Sequence, residues 1–213
     1  MTPPYAKAVD PVFLYVLGLL ERIENGQSPS PEKERLFIRG WIDQADGLLG
    51  QSPDWQLGKY ALVTWIDEVL IEASWAGRDW WNENALEVEL FNTRLANEQF
   101  YMRAKEAGAL PRRDALEVFY VCVVLGFRGL YRDAFVAATL AEPRGLPADL
   151  DTWSKQTSMA IRLGQGRPTI TESGNPGLGA PPLEAQALLL WLCLSGVVLA
   201  ALTLVFAYLT LLK

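Results

Sequence analysis

The sequence predicts a mainly α-helical domain followed by one C-terminal transmembrane helix. Three observations point to this. Ser-Pro or Asp-Pro pairs open successive amphipathic stretches. Half of the residues are apolar and eight are Trp, enough for a packed core rather than a disordered chain. Finally, residues 185–212 carry no charge and are bracketed by Glu184 and Lys213. A span needs about 20 apolar residues, at about 1.5 Å of helical rise each, and this run supplies them with some to spare for tilt.

Helix starts are legible because Pro costs nothing at a first position whose N–H has no helical partner. Asp10-Pro11 opens a first helix with Val12, Val16, Leu19, Leu20 and Ile23 on its apolar face, and Asn25-Gly26 closes it. Ser30-Pro31 opens a second, closed by Gly50. Ser52-Pro53-Asp54 opens a third, expected to run to about Ala76-Gly77. Helices follow over 83–96 and 97–107. The run 115–125 is apolar on all sides, and periodicity does not separate a buried helix from a buried strand there. Helix is the reading, because no second strand is available to pair with it. Residues 126–131 form a tight turn, 133–141 a helix, 143–147 a loop, and 151–163 a last helix ended by Gly164. The predicted organisation is a helical domain (1–164), a Gly/Pro-rich linker (165–184) and the membrane helix (185–213).

Net charge is −6, with an isoelectric point near 4.8. Such a chain repels nucleic acid phosphates and anionic lipid headgroups, and favours basic protein surfaces. Without His, the commonest general base and most zinc sites are excluded. Cys122 lies in an apolar run and Cys193 in the expected span, so a disulfide between them is not expected. No Gly-rich loop precedes a Lys-Ser/Thr pair, so no phosphate site, metal or other cofactor is expected. Val12–Leu20 is apolar, but it lacks a basic lead and a cleavage site, so it does not read as a signal peptide. The domain is then expected in the cytosol, with Lys155, Arg162 and Arg167 before the span and Lys213 after it.

The main polar constellation is Asp67-Glu68 with Glu72 one helical turn later. Four roles suit it: a solvated face, an acidic docking surface for a basic partner, a buried carboxylate that caps or braces a neighbouring helix, or paired carboxylates for acid–base chemistry. Arg78 beside Trp80 and Trp81 suggests either a cation–π corner or core packing. In the span, Gly196, Ala200, Thr203 and Ala207 make a stripe of small residues, the kind that lets helices approach closely in lipid and self-associate.

Several blocks resemble a known family. Gly58-Lys-Tyr-Ala-Leu-Val-Thr-Trp-Ile-Asp-Glu-Val-Leu70 is similar to a signature of the TssL family of type VI secretion, also called DotU or IcmH. Trp75, Trp80-Trp81, Phe91 and Phe100-Tyr101 resemble its central region. Residues 116–122 and Leu125-Gly-Phe-Arg-Gly-Leu-Tyr131 resemble its second signature. The resemblance implies two small packed helical bundles with a cleft, a cytosolic domain held by a single pass in the bacterial inner membrane, and no catalysis. It implies a TssM (IcmF-like) membrane partner and docking to the cytosolic baseplate. Cleft acidic residues carry over to Asp67 and Glu68, while Gly126, Phe127, Gly129 and Tyr131 take structural roles. A Gly-rich segment of the family is replaced by Arg94–Gln99. The chain ends just after the span, so wall anchoring is expected from a partner. Without the resemblance, the alternatives are a tail-anchored adaptor of another envelope complex and a membrane-tethered carboxylate hydrolase.

The small-residue stripe generates a prediction. Gly196→Leu with Ala200→Leu should weaken span-to-span association, because bulk holds the backbones apart. An unchanged dimer signal in a membrane two-hybrid assay would assign association to another face.

Overall fold

A computed structural model describes residues 1–164, together with Leu194, Ser195 and Thr203. The expected linker, and the expected membrane helix apart from those three positions, lie outside the described residues, as do Gly196, Ala200 and Ala207. Thr203 is helical and exposed. Among the described residues no helix is long and apolar enough to cross a membrane.

The described fold is all helix and loop, as the sequence predicts. Its helices are α1 (Pro3–Glu24), α2 (Pro31–Leu49), α3 (Pro53–Glu72), α4 (Arg78–Glu83), α5 (Leu86–Phe91), α6 (Ala96–Ala109), α7 (Asp114–Val124), α8 (Ala134–Leu140) and α9 (Leu150–Gly164). Short 3-10 turns lie at Gly129–Arg132 and Glu142–Arg144.

The Ser-Pro starts of α2 and α3 form as expected. Ser30 Oγ accepts from Lys33 N, and Ser52 Oγ from Trp55 N. The Asp-Pro start does not. α1 begins at Pro3 and carries Pro11 in its interior. Proline there removes one helical hydrogen bond. The helix persists because Tyr5, Ala8 and Val9 continue, on the other side of the proline, the buried stripe of Val12, Phe13, Val16, Leu19 and Ile23.

The expected helix over 83–96 is replaced by two short ones, α4 and α5. Asn92, at φ 53°, ends α5 in the left-handed conformation that Asn tolerates better than most residues. The run 115–125 is the helix α7, with Cys122 fully buried and its Sγ 3.5 Å from the Ala61 carbonyl of α3.

α3 is the axis of the fold. Trp55, Tyr60, Ala61, Leu62, Val63, Trp65, Ile66 and Leu70 are all fully buried, so apolar residues cover every side of it. It packs on α7 most extensively and also against α4, α5 and α6. α1 and α2 pair with each other, and Phe13 of α1 sits 5.0 Å from Trp65 between ring centroids. An aromatic cluster closes the opposite side. Phe100 stacks on Phe127 at 3.8 Å, Phe119 meets Phe100 edge-on, and Tyr101 meets Tyr131 and Trp153 in the same way.

Phe127 is fully buried in that cluster, whereas Phe135 on α8 is 81% exposed. Phe127→Ala should therefore destabilise the domain by about 3–5 kcal/mol, and Phe135→Ala by under about 0.5 kcal/mol. Denaturant unfolding of the two variants checks this; equal losses would contradict the packing described.

Candidate functional site: an acid-lined cleft beside helix α3

Along the C-terminal half of α3, acidic side chains project toward α5 and the turn after α7. Asp67 reaches the start of α5. Its Oδ1 accepts from Leu86 N and from Trp81 Nε1, both at 2.9 Å, and its Oδ2 accepts from Glu87 N at 2.8 Å. The residue before α5, Ala85, offers no capping side chain. Asp67 therefore caps that helix from across the fold, satisfying N–H groups that have no partner within α5. Glu68 does the same for the 3-10 turn. Its carboxylate accepts from Arg128 N at 2.6 Å and Gly129 N at 3.2 Å, and pairs with Arg132 at 3.0 Å. At the other end of α3, Asp54 accepts from Ala115 N in the first turn of α7.

Arg132 bridges Glu68 to Glu72, one turn further along α3. Glu87, itself buried, accepts from Tyr60 Oη, Thr93 Oγ1 and Leu95 N, and so fixes the entry to α6. Between these groups opens a cavity of about 300 Å³, walled by Glu68, Glu72, Asn82, Arg94, Asn97 and Arg132. Arg94 is anchored on the carbonyls of Asn82 and Glu83.

Burial raises the Asp67 carboxyl to about 6, against the pull of its three N–H donors. Burial also raises Glu68, opposed by the Arg128 and Gly129 N–H groups and by Arg132. Among the described residues no cluster of His, Cys, Asp and Glu is arranged to hold a metal.

The acidic face expected from the sequence is only partly a surface. Asp67 is 5% exposed and Glu68 8%, with their oxygens engaged inside the fold, while the Glu72 side chain is 44% exposed. Helical spacing places Glu68 and Glu72 on one face of α3 and Asp67 about 100° away, but it does not tell that α5 and the 128–132 turn cover Asp67 and Glu68. The second-signature residues lie in this turn. Gly126 and Gly129 have positive φ, at 113° and 47°, and a Cβ on Gly129 would meet Phe127 Cε1 at 2.7 Å. Tyr131 Oη donates to the Pro147 carbonyl at 2.6 Å. Trp81 is core, and the cation stacked on an aromatic ring is Arg103, 3.8 Å above Tyr60. Arg132, Arg94 and Glu87 were not singled out from the sequence. Arg132 directly follows the second signature, which is a usable signal; Arg94 and Glu87 have none, since their partners are distant or backbone groups.

Asp67→Asn and Glu68→Gln should each destabilise the domain by about 1–3 kcal/mol, because a side-chain NH₂ would then face a backbone N–H. Glu72→Gln should cost under about 0.5 kcal/mol. The pH dependence has a sign. The folded Asp67 carboxyl lies above its ordinary value of 3.8, so between about 4 and 6 the folded state keeps a proton that the unfolded chain has lost. Its contribution to stability therefore falls as pH rises through that window. The advantage of the native protein over Asp67→Asn should be larger at pH 4.5 than at pH 7. An advantage that grows with pH would contradict the burial-raised carboxyl.

The family model described as Type VI secretion system protein DotU matches residues 4–212. No curated protein matches the chain. Among solved structures, the cytoplasmic domain of TssL from Acinetobacter baumannii superposes with a TM-score of 0.57 at 23% identity, over 75% of this chain and 98% of that one. That likeness speaks for the fold, and the match across nearly all of the sequence speaks for the family. The chain belongs to the DotU family of type VI secretion proteins.

Proposed function

We propose that this chain is a non-catalytic scaffold subunit of a type VI secretion system. It holds residues 1–164 at the cytosolic face of the bacterial inner membrane through the linker 165–184 and a single span in 185–213. There it joins a TssM-like membrane protein to cytosolic baseplate components. In this reading α1–α2 and α6–α7–α9 are two small bundles sharing α3, and the small-residue stripe supports self-association. The observation that carries the proposal is the extent of the family match, which includes both the helical domain and the uncharged C-terminal run. The non-catalytic part is supported by the carboxylates themselves. Asp67 and Glu68 accept backbone and Trp81 N–H groups, which leaves little of either free for proton transfer to a substrate.

Glu72 at the mouth of the cleft is the acidic contact offered to a basic partner surface, with Asp67 and Glu68 shaping the wall behind it. Glu72→Lys should weaken capture of a TssM-like or baseplate partner by about fivefold or more, with an unchanged melting temperature. The measurement is copurification with the tagged full-length chain from its native membrane. Absence of any secretion-system protein from that preparation would overturn the scaffold role. A reporter at residue 1 active only in the periplasm would overturn the topology.

A further inference from the structure

We propose that the end of the helical domain where α9 stops is a contact face for anionic phospholipid headgroups. The proposal rests on the reading that residues 185–212 cross the membrane.

Three segments meet at this end. Met1, Thr2 and Pro3 at the start of α1, Pro111–Asp114 between α6 and α7, and Gly164 at the end of α9 surround one hollow. Gly164 packs so closely on the Arg113 side chain that a Cβ there would collide with it. The acids nearby are used internally. Asp114 accepts from Thr2 N and Thr2 Oγ1, Asp54 from Ala115 N, and Glu117 pairs with the amino terminus. Arg113 turns back onto the carbonyls of Gly108 and Leu110.

Basic and apolar side chains are exposed here, alongside Asp10 on α1 and Glu106 in the last turn of α6. Arg112 and Arg162 are exposed, and so is Lys7, one turn from Pro3 on the same side of α1. None of the three makes a close ion pair among the described residues, and Arg112 acts on the Asp54 carboxyl only at longer range. Met159 and Leu163, one turn apart on α9 and flanking Arg162, are 64% and 77% exposed. Exposed Met and Leu beside unpaired Arg and Lys is the composition of surfaces that rest on anionic bilayers. The apolar groups enter the headgroup boundary while the cations hold the phosphates. The chain's net charge of −6 opposes such binding, so a face with unpaired cations stands out against the rest of the molecule.

Position adds to this. In sequence, Arg167 follows Gly164 closely and the uncharged run begins at Ala185. A linker of this length reaches at most about 72 Å when fully extended. It therefore keeps the face at high effective concentration near the bilayer without forcing contact. Charge and exposed apolar groups decide which face turns inward.

The test uses the full chain in nanodiscs of phosphatidylcholine alone or mixed with phosphatidylglycerol, read by amide hydrogen exchange. Residues 1–9, 109–115 and 157–164 should exchange about fivefold slower or more in the anionic discs. Molar salt should remove the difference in the native chain, and so should Lys7→Gln with Arg112→Gln and Arg162→Gln. All three side chains are exposed, so the melting temperature of the triple variant should not move. Equal exchange in both lipids, or slowing confined to α8, overturns the proposal while leaving the span intact. A chain that carbonate extracts from vesicles refutes the span reading, and this proposal with it.

Discussion

The structure depends on acidic side chains of one helix capping the starts of other elements. α3 sends Asp54 to α7, Asp67 to α5 and Glu68 to the turn after α7. None of these three elements has a capping side chain of its own. A buried helix start with unsatisfied N–H groups costs free energy comparable to lost hydrogen bonds. A carboxylate from the central helix removes that cost and favourably meets the positive end of the helix dipole. Each tie is a side chain of fixed length, so the elements around the cleft are held at set distances from α3 rather than by apolar packing alone.

At the periphery carboxylates tie helices together through side chains instead of backbone caps. Glu34 of α2, 6% exposed, accepts from Tyr15 Oη and from both terminal nitrogens of Arg22 on α1. Asp46 takes Trp55 Nε1 and Lys59 Nζ from α3. Arg35 and Arg39 reach Glu89 of α5. α2 is thus joined to its neighbours by charge-assisted bonds along with the apolar contacts of Ile38, Ile42 and Ala45. Such bonds are directional, and they fix how α2 is rotated as well as where it lies.

How far the fold was legible follows from which signals are local. Ser30 and Ser52 cap their own helices, as Asp133 caps α8, and the sequence announced those starts. The helix at 115–125 followed from the lack of a partner strand. Pro11 misled because a proline reads as a start, and only the burial of Tyr5 and Val9 across the fold reveals that α1 runs through it. The split of 83–96 into α4 and α5 was hidden for a related reason: the group that caps α5 sits on another helix. Asp67 and Glu68 were found as a constellation, with an exposed docking face and a buried helix cap as rival readings, since spacing along a helix tells which residues share a face and not what covers it.

The all-round burial of α3 bears on how the chain is made. Synthesis is vectorial, and α1, α2 and α3 emerge from the ribosome before α7, which packs most extensively against α3. Until residues 114–132 are out, the Asp54 and Glu68 carboxylates lack the N–H groups they will cap, and the apolar side of α3 that meets α7 stays wet. The nascent domain therefore carries an exposed apolar helix for roughly a third of its own length, a period in which a chaperone has a surface to hold. Closure of the domain and emergence of the uncharged C-terminal run are separated by only a short further stretch of chain, so the two become available almost together.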